Sequence, residues 1–235
     1  MTAVFKKELR SYFTGVIGYV FLVVYLALAG AIFCYTTFFS MSGDVTSFFT
    51  LTMLASAILL PILTMKSFAE ERKVRTEQLL LTSPVSITGI VLGKFLAAYT
   101  VFAACMLLNS VYFLFLISYC SLKFAILLGN LVAMLLVGAV YIAIGIFVSS
   151  LTENQLTAAI GTISIVFVFL AIGLISSLLP STYIVRYVLD FISIFTRFQG
   201  FTAGYLDIPS LVYYISLAGI FVYLTVRIYD RRRYS

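Results

Sequence analysis

The residues of this chain best placed to do chemistry stand close together. Of its 15 basic and 9 acidic residues, four and three fall within residues 66–77, KSFAEERKVRTE, while the rest of the sequence is apolar in long blocks. Three carboxylates beside four cations make the largest concentration of ionic chemistry in the chain. Histidine is absent, which removes the commonest general base and metal ligand. Cys34, Cys105 and Cys120 form no CxxC pair and sit in or beside apolar stretches, so they read as small packing residues. Residues 89–94, GIVLGK, approach a phosphate loop without meeting its requirements. Three residues separate the glycines instead of four, and Phe95 follows Lys94 where a Ser or Thr hydroxyl would hold magnesium. The sequence therefore carries no catalytic, cofactor-binding or metal-binding residues of its own. Residues 66–77 then read as a structured, charged stretch at the surface, against the bland alternative of a solvated loop with ordinary charge pairs.

Local spacing predicts a short helix here. Ser67 can cap it, with Glu70 three residues on completing a capping box. Glu71 then faces Arg75, and Lys73 faces Glu77, at i,i+4 spacing, each pair contributing about 0.3–0.5 kcal/mol. Ser83 and Pro84 mark its end. The expectation is a charged surface helix inside a loop spanning residues 66–86.

The elements that must hold this loop are membrane spans. With 63% hydrophobic and 10% charged residues, the composition is far from the quarter or so of charge in a soluble domain. An all-α bundle of six transmembrane helices is predicted, at about residues 15–39, 48–65, 90–118, 124–148, 158–179 and 209–226. The first could pass for a signal peptide, with Ala27-Leu28-Ala29 as its cleavage site. Its apolar run continues ten residues beyond Ala29, however, longer than an h-region of about 7–15 residues, and an uncleaved span is the better reading. Pro61 is placed to kink the second span, and Lys94 to snorkel from the start of the third. Residues 180–208 are too long for a turn and too polar for a span. Ile184, Tyr187, Val188, Phe191, Ile194, Phe195 and Phe198 recur there at helical spacing, which predicts an amphipathic helix at the membrane interface, against the alternative of a packed outer loop.

Basic residues set the orientation. With the N-terminus inside, the cytoplasmic side receives Lys6, Lys7, Arg10, Lys66, Arg72, Lys73, Arg75, Lys94, Arg227 and Arg231 to Arg233, twelve in all, against Lys123, Arg186 and Arg197 outside. Both termini and the charged loop are thus expected in the cytoplasm. The same distribution accounts for the net charge of +6 without nucleic acid. No predicted span has a charged residue in its middle, which disfavours an ion-coupled carrier, and no polar stripe suggests a stand-alone channel. Gly138 with Gly145, and Ala139 with Ala143, permit close helix approach, within the bundle or between copies.

Glu70, Glu71, Arg72 and Lys73, then Thr76 and Leu79-Leu80-Leu81-Thr82-Ser83-Pro84, resemble the loop between the first two hairpins of type-2 (ABC-2) ABC transporter permeases. Arg75 stands where that pattern often has Gly, and Gln78 where it often has Glu. The resemblance extends to Val85-Ser86, Gly93-Lys94-Phe95, Phe5-Lys6-Lys7-Glu8-Leu9 and residues 149–155. It is nearest to the compact six-span permeases of the gliding-motility and nitrous-oxide-reductase-maturation type. It implies a permease subunit, an exporter, that pairs with a second permease, identical or related, and two separate ATPase subunits holding ATP and magnesium, in a bacterial plasma membrane. The loop is then a coupling helix, with Glu70, Glu71, Arg72, Lys73, Arg75, Thr76, Glu77 and Gln78 docking on the ATPase, and residues 180–208 are short re-entrant external helices. A membrane anchor that holds an ATPase without transporting anything would share that loop.

Overall fold

The computed structural model describes residues 1–39, 45–78, 85–117, 124–180, 184–202 and 207–233, and among these it is helical with no strand. An amphipathic helix α1 (Thr2–Thr14) leads into α2 (Val16–Phe33), which ends in a π-helical segment, Cys34–Phe39. Then come α3 (Val45–Thr64), the short α4 (Lys66–Lys73), α5 (Ile87–Ile117), α6 (Phe124–Leu151), α7 (Gln155–Leu178), the paired short helices α8 (Ile184–Ile192) and α9 (Ile194–Thr202), and α10 (Ile208–Arg233). Six of these stretches are long and apolar enough to cross a membrane, which matches the predicted number of spans. Of residues 40–47, expected as a turn between the first two spans, 45–47 already belong to α3; residues 40–44, the connection expected at 118–123 and the predicted helix end at Ser83-Pro84 lie outside the described residues.

Burial sorts the six into layers. The most hydrophobic window of α6 is 67% buried, with those of α3 and α5 close behind, whereas α2 and α10 stand at 28% and 22%. α6 is therefore the axis of the bundle, packed on α3, α5, α7 and α10 together with the short helices α4 and α9. Two glycines allow this. A Cβ on Gly138 would lie 2.0 Å from the Phe102 ring of α5, and one on Gly145 would lie 2.0 Å from Thr64 Oγ1 of α3. Gly138, Gly145 and Ala143 thus serve packing inside this chain. The outer helices turn Val20, Val23, Leu28, Leu174, Ile175 and Ile215 outward, as surfaces facing lipid do.

The core holds no charge at mid-depth among the described residues. Apart from Lys94, near the start of α5, the buried polar residues are neutral, and Tyr25 on α2 hydrogen-bonds Ser56 on α3 at 3.0 Å. Phe48, Phe49 and Phe113 form an aromatic cluster with ring centroids 5.3 Å apart. Pro61 remains within α3; the helix breaks four residues later at Met65, whose N–H still donates to the Pro61 carbonyl at 2.9 Å. α4 begins at once, so it grows directly out of the second span.

At the opposite end of the bundle, the described part of the 180–208 segment holds two short helices, α8 and α9, as the family resemblance implied and where periodicity alone predicted one amphipathic helix. They part at Ser193, whose Oγ accepts from Thr196 N–H at 3.1 Å and starts α9. α9 buries Ile194, Phe198 and Phe201, with Tyr214 donating to the Ile194 carbonyl at 2.8 Å. α8 buries nothing and presents Ile184, Tyr187, Val188 and Phe191 outward. This is the arrangement of an interfacial element.

Candidate partner-docking site

The charged helix α4 is clasped on three sides by residues far away in sequence. Lys94, on the second turn of α5, is 2% exposed and does not snorkel to water. Its Nζ donates to the Ser67 carbonyl at 2.6 Å, meets Glu71 Oε1 at 2.9 Å and Glu8 Oε1 at 3.1 Å, and lies 4.8 Å from the centre of the Phe68 ring. A lysine this deeply enclosed requires such a set of partners, because desolvating an unpaired ammonium costs several kcal/mol. α1 can bring Glu8 within reach because Gly93 leaves space for it, the Val4 side chain lying 3.1 Å from where a Cβ would be.

Ser149 of α6 supplies the second hold. Its Oγ accepts from the N–H groups of Phe68 and Ala69 at 3.1 and 3.0 Å and donates to the Met65 carbonyl at 3.1 Å. These are the free donors of a helix start, so α4 is capped from another helix. The predicted capping box is not formed. Ser67 lies inside α4 and is buried, Met65 is the cap residue, and Glu70 instead pairs with Lys66 at 3.7 Å.

The third hold is ionic and reaches α6 and α10. Arg72 donates to the Leu151 carbonyl at 3.1 Å and pairs with Glu153 at 3.0 Å. Arg232 pairs with Glu77 at 3.0 Å and donates to the Ser150 carbonyl at 2.9 Å. Tyr229 stacks on Phe68 with centroids 4.6 Å apart. The expected pairs Glu71–Arg75 and Lys73–Glu77 are therefore replaced. α4 stops at Lys73, so the helical register that would align them ends first, and stronger partners have claimed both glutamates.

Beyond Lys73 the chain turns through residues 74–76. Arg75 has φ 60, the one non-glycine residue with positive φ among those described. That left-handed conformation suits glycine, which gives a physical reason for glycine in the pattern that this loop resembles. Thr76 closes the turn, its N–H donating to the Glu71 carbonyl at 2.9 Å. Lys73, Val74, Arg75 and Gln78 face outward, with Val74 64% exposed. Between α1 and α4 lies a cleft of about 610 Å³, lined on one side by Lys7, Glu8 and Tyr12 and on the other by Lys66, Glu70 and Glu71. Burial and the nearby Glu8 carboxylate hold the Tyr12 hydroxyl well above its usual range, so it stays neutral.

Of the predicted docking residues, then, Glu71, Arg72 and Glu77 are turned into the chain's own scaffold, Thr76 forms the turn, and Lys73, Arg75 and Gln78 point out. Sequence reasoning gave Glu8, Ser149 and Arg232 no part in holding α4, and gave Lys94 a snorkelling position in place of its buried one. The family resemblance had marked three of the four segments without saying why; the structure brings residues 5–9, 93–95 and 149–155 together around α4.

A family model described as "ABC-2 family transporter protein" matches residues 2–226, nearly the whole chain. The chain belongs to this family. It is accordingly a multi-pass membrane protein and the permease subunit of an ABC transporter, a transport subunit that is not itself catalytic. No curated protein matches the sequence.

Proposed function

We propose that this ABC-2 permease works as an exporter, as a pair of permeases, identical or related, with two separate ATPase subunits that hold ATP and magnesium. Both termini and α4 lie in the cytoplasm of what is a bacterial plasma membrane, and residues 66–78 are the coupling helix on which the ATPase pushes. The observation that carries this reading is the clasp on α4. A helix docking on a moving partner must pass force into the bundle, and α4 continues from α3, is bound through Lys94 to α1 and α5, through Ser149 to α6, and through Arg232 to α10. Displacement of α4 therefore reaches five other helices without an intervening flexible joint. The uncharged core favours a lipid-like or amphiphilic cargo.

The test is reconstitution into vesicles with an ATPase subunit expressed from the same genome. The chain alone should hydrolyse no ATP, and the complex should redistribute a fluorescent amphiphile only with ATP present. Nucleotide turnover by the isolated chain would overturn the assignment. Turnover by the complex with no cargo moved would instead favour the membrane-anchor reading.

A further inference from the structure

The outward residues of the loop are of one charge sign, and this points to the chemistry of what docks there. All five glutamates of the chain lie at this end of the bundle, and each is held by a cation of the same chain: Glu8 and Glu71 by Lys94, Glu70 by Lys66, Glu77 by Arg232 and Glu153 by Arg72. Lys73 and Arg75, by contrast, are exposed and have no ion pair among the described residues. Between them stands Val74, an apolar side chain in an otherwise charged turn. The turn's backbone is fixed by the bonds from Val74 N–H to the Glu70 carbonyl at 3.0 Å and from Thr76 N–H to the Glu71 carbonyl at 2.9 Å, so its two cations are presented on a pre-formed loop.

We infer that the contact surface is the tip formed by Lys73, Val74 and Arg75, and that it seats in an acidic groove of the partner ATPase with an apolar floor for Val74. The inference rests on the coupling reading above and makes it specific. The acidic residues of α4 hold the helix to the permease, and the basic residues after it hold the ATPase. Arg75 serves this arrangement at a cost, since a side chain at positive φ is disfavoured relative to glycine. The gain is a cation at the apex of the turn. Like charges on the partner would repel it, so the tip also selects among ATPases.

The experiment uses the full chain in nanodiscs and the ATPase subunit expressed from the same genome, with retention of the ATPase measured against salt. The wild-type chain should retain it, with retention falling as salt rises. The double variant K73E/R75E, which touches no bond inside the chain, should retain it about tenfold less or worse, and the neutral K73Q/R75G should lie between. Equal retention by wild type and K73E/R75E would overturn the acidic groove while leaving docking itself intact. No retention by the wild type would overturn docking and the inference together. Nanodiscs of phosphatidylcholine alone separate the remaining source of negative charge. A difference that persists there supports a protein groove, and one that vanishes without anionic lipid assigns the tip to headgroups and overturns the proposal.

Discussion

Lys94 shows how one residue changes meaning between sequence and structure. Eight residues into an apolar helix, with a long aliphatic stem, it has every local sign of a snorkelling side chain. Its actual partners, Glu8 and Glu71, lie 86 and 23 positions away, and no periodicity reports such a meeting. Ser149 was equally silent, because a serine at the end of a span is ordinary until a second helix begins beside it. Arg75 was half legible: its departure from glycine could be seen, and the positive φ behind it could not. The Lys94 cluster makes a sharp prediction. Lys94→Met keeps most of the volume and removes the buried cation that Glu8 and Glu71 share, leaving them the exposed Lys7 at 3.9 and 3.6 Å. Losing that partner should destabilise the chain by about 1–3 kcal/mol, read as a lowered unfolding midpoint of the purified protein in detergent. An unchanged midpoint would mean that Lys7 and water, not Lys94, satisfy Glu8 and Glu71.

At the scale of elements, the spans were legible because roughly 20 consecutive apolar residues have few other uses. The six helices match in number, and α10 runs on to Arg233 as a continuous helix because nothing after Val226 breaks it. The boundaries of the short helices were not legible, for one shared reason. Short helices take their ends from single side-chain contacts: Ser149 caps α4 in place of Ser67, and Ser193 divides α8 from α9. The glycines of α6 carried a signal open to two readings, helix approach inside the chain or between copies. Contact with Phe102 and Thr64 decides for the former. Gly138→Ala should therefore force the Phe102 ring from its place and lower stability by about 1–3 kcal/mol. The variant's unfolding midpoint would show this directly, and the partner variant Phe102→Leu should restore part of the loss. Full stability of Gly138→Ala alone would show the α5–α6 contact to be looser than described.

The whole molecule is polarised. One end gathers α1, α4, the turn after α6 and the end of α10 into a charged platform held together by at least five ion pairs; the other carries α8 with its exposed apolar side chains. The proposed orientation puts this platform in the cytoplasm, as the positive-inside rule favours for the end that holds most of the chain's basic residues, and there the proposed ATPase would reach it. Everything proposed here depends on that placement and on the turn after α4 being the point of contact. Both are read by one residue, Val74, exposed at the tip. In a chain with Cys34, Cys105 and Cys120 replaced by serine, Val74→Cys should resist an impermeant thiol reagent added to sealed cells. In inside-out vesicles it should react, and added ATPase subunit should slow that reaction. Labelling from outside in sealed cells, or labelling in inverted vesicles that the bound ATPase leaves unchanged, would contradict the account.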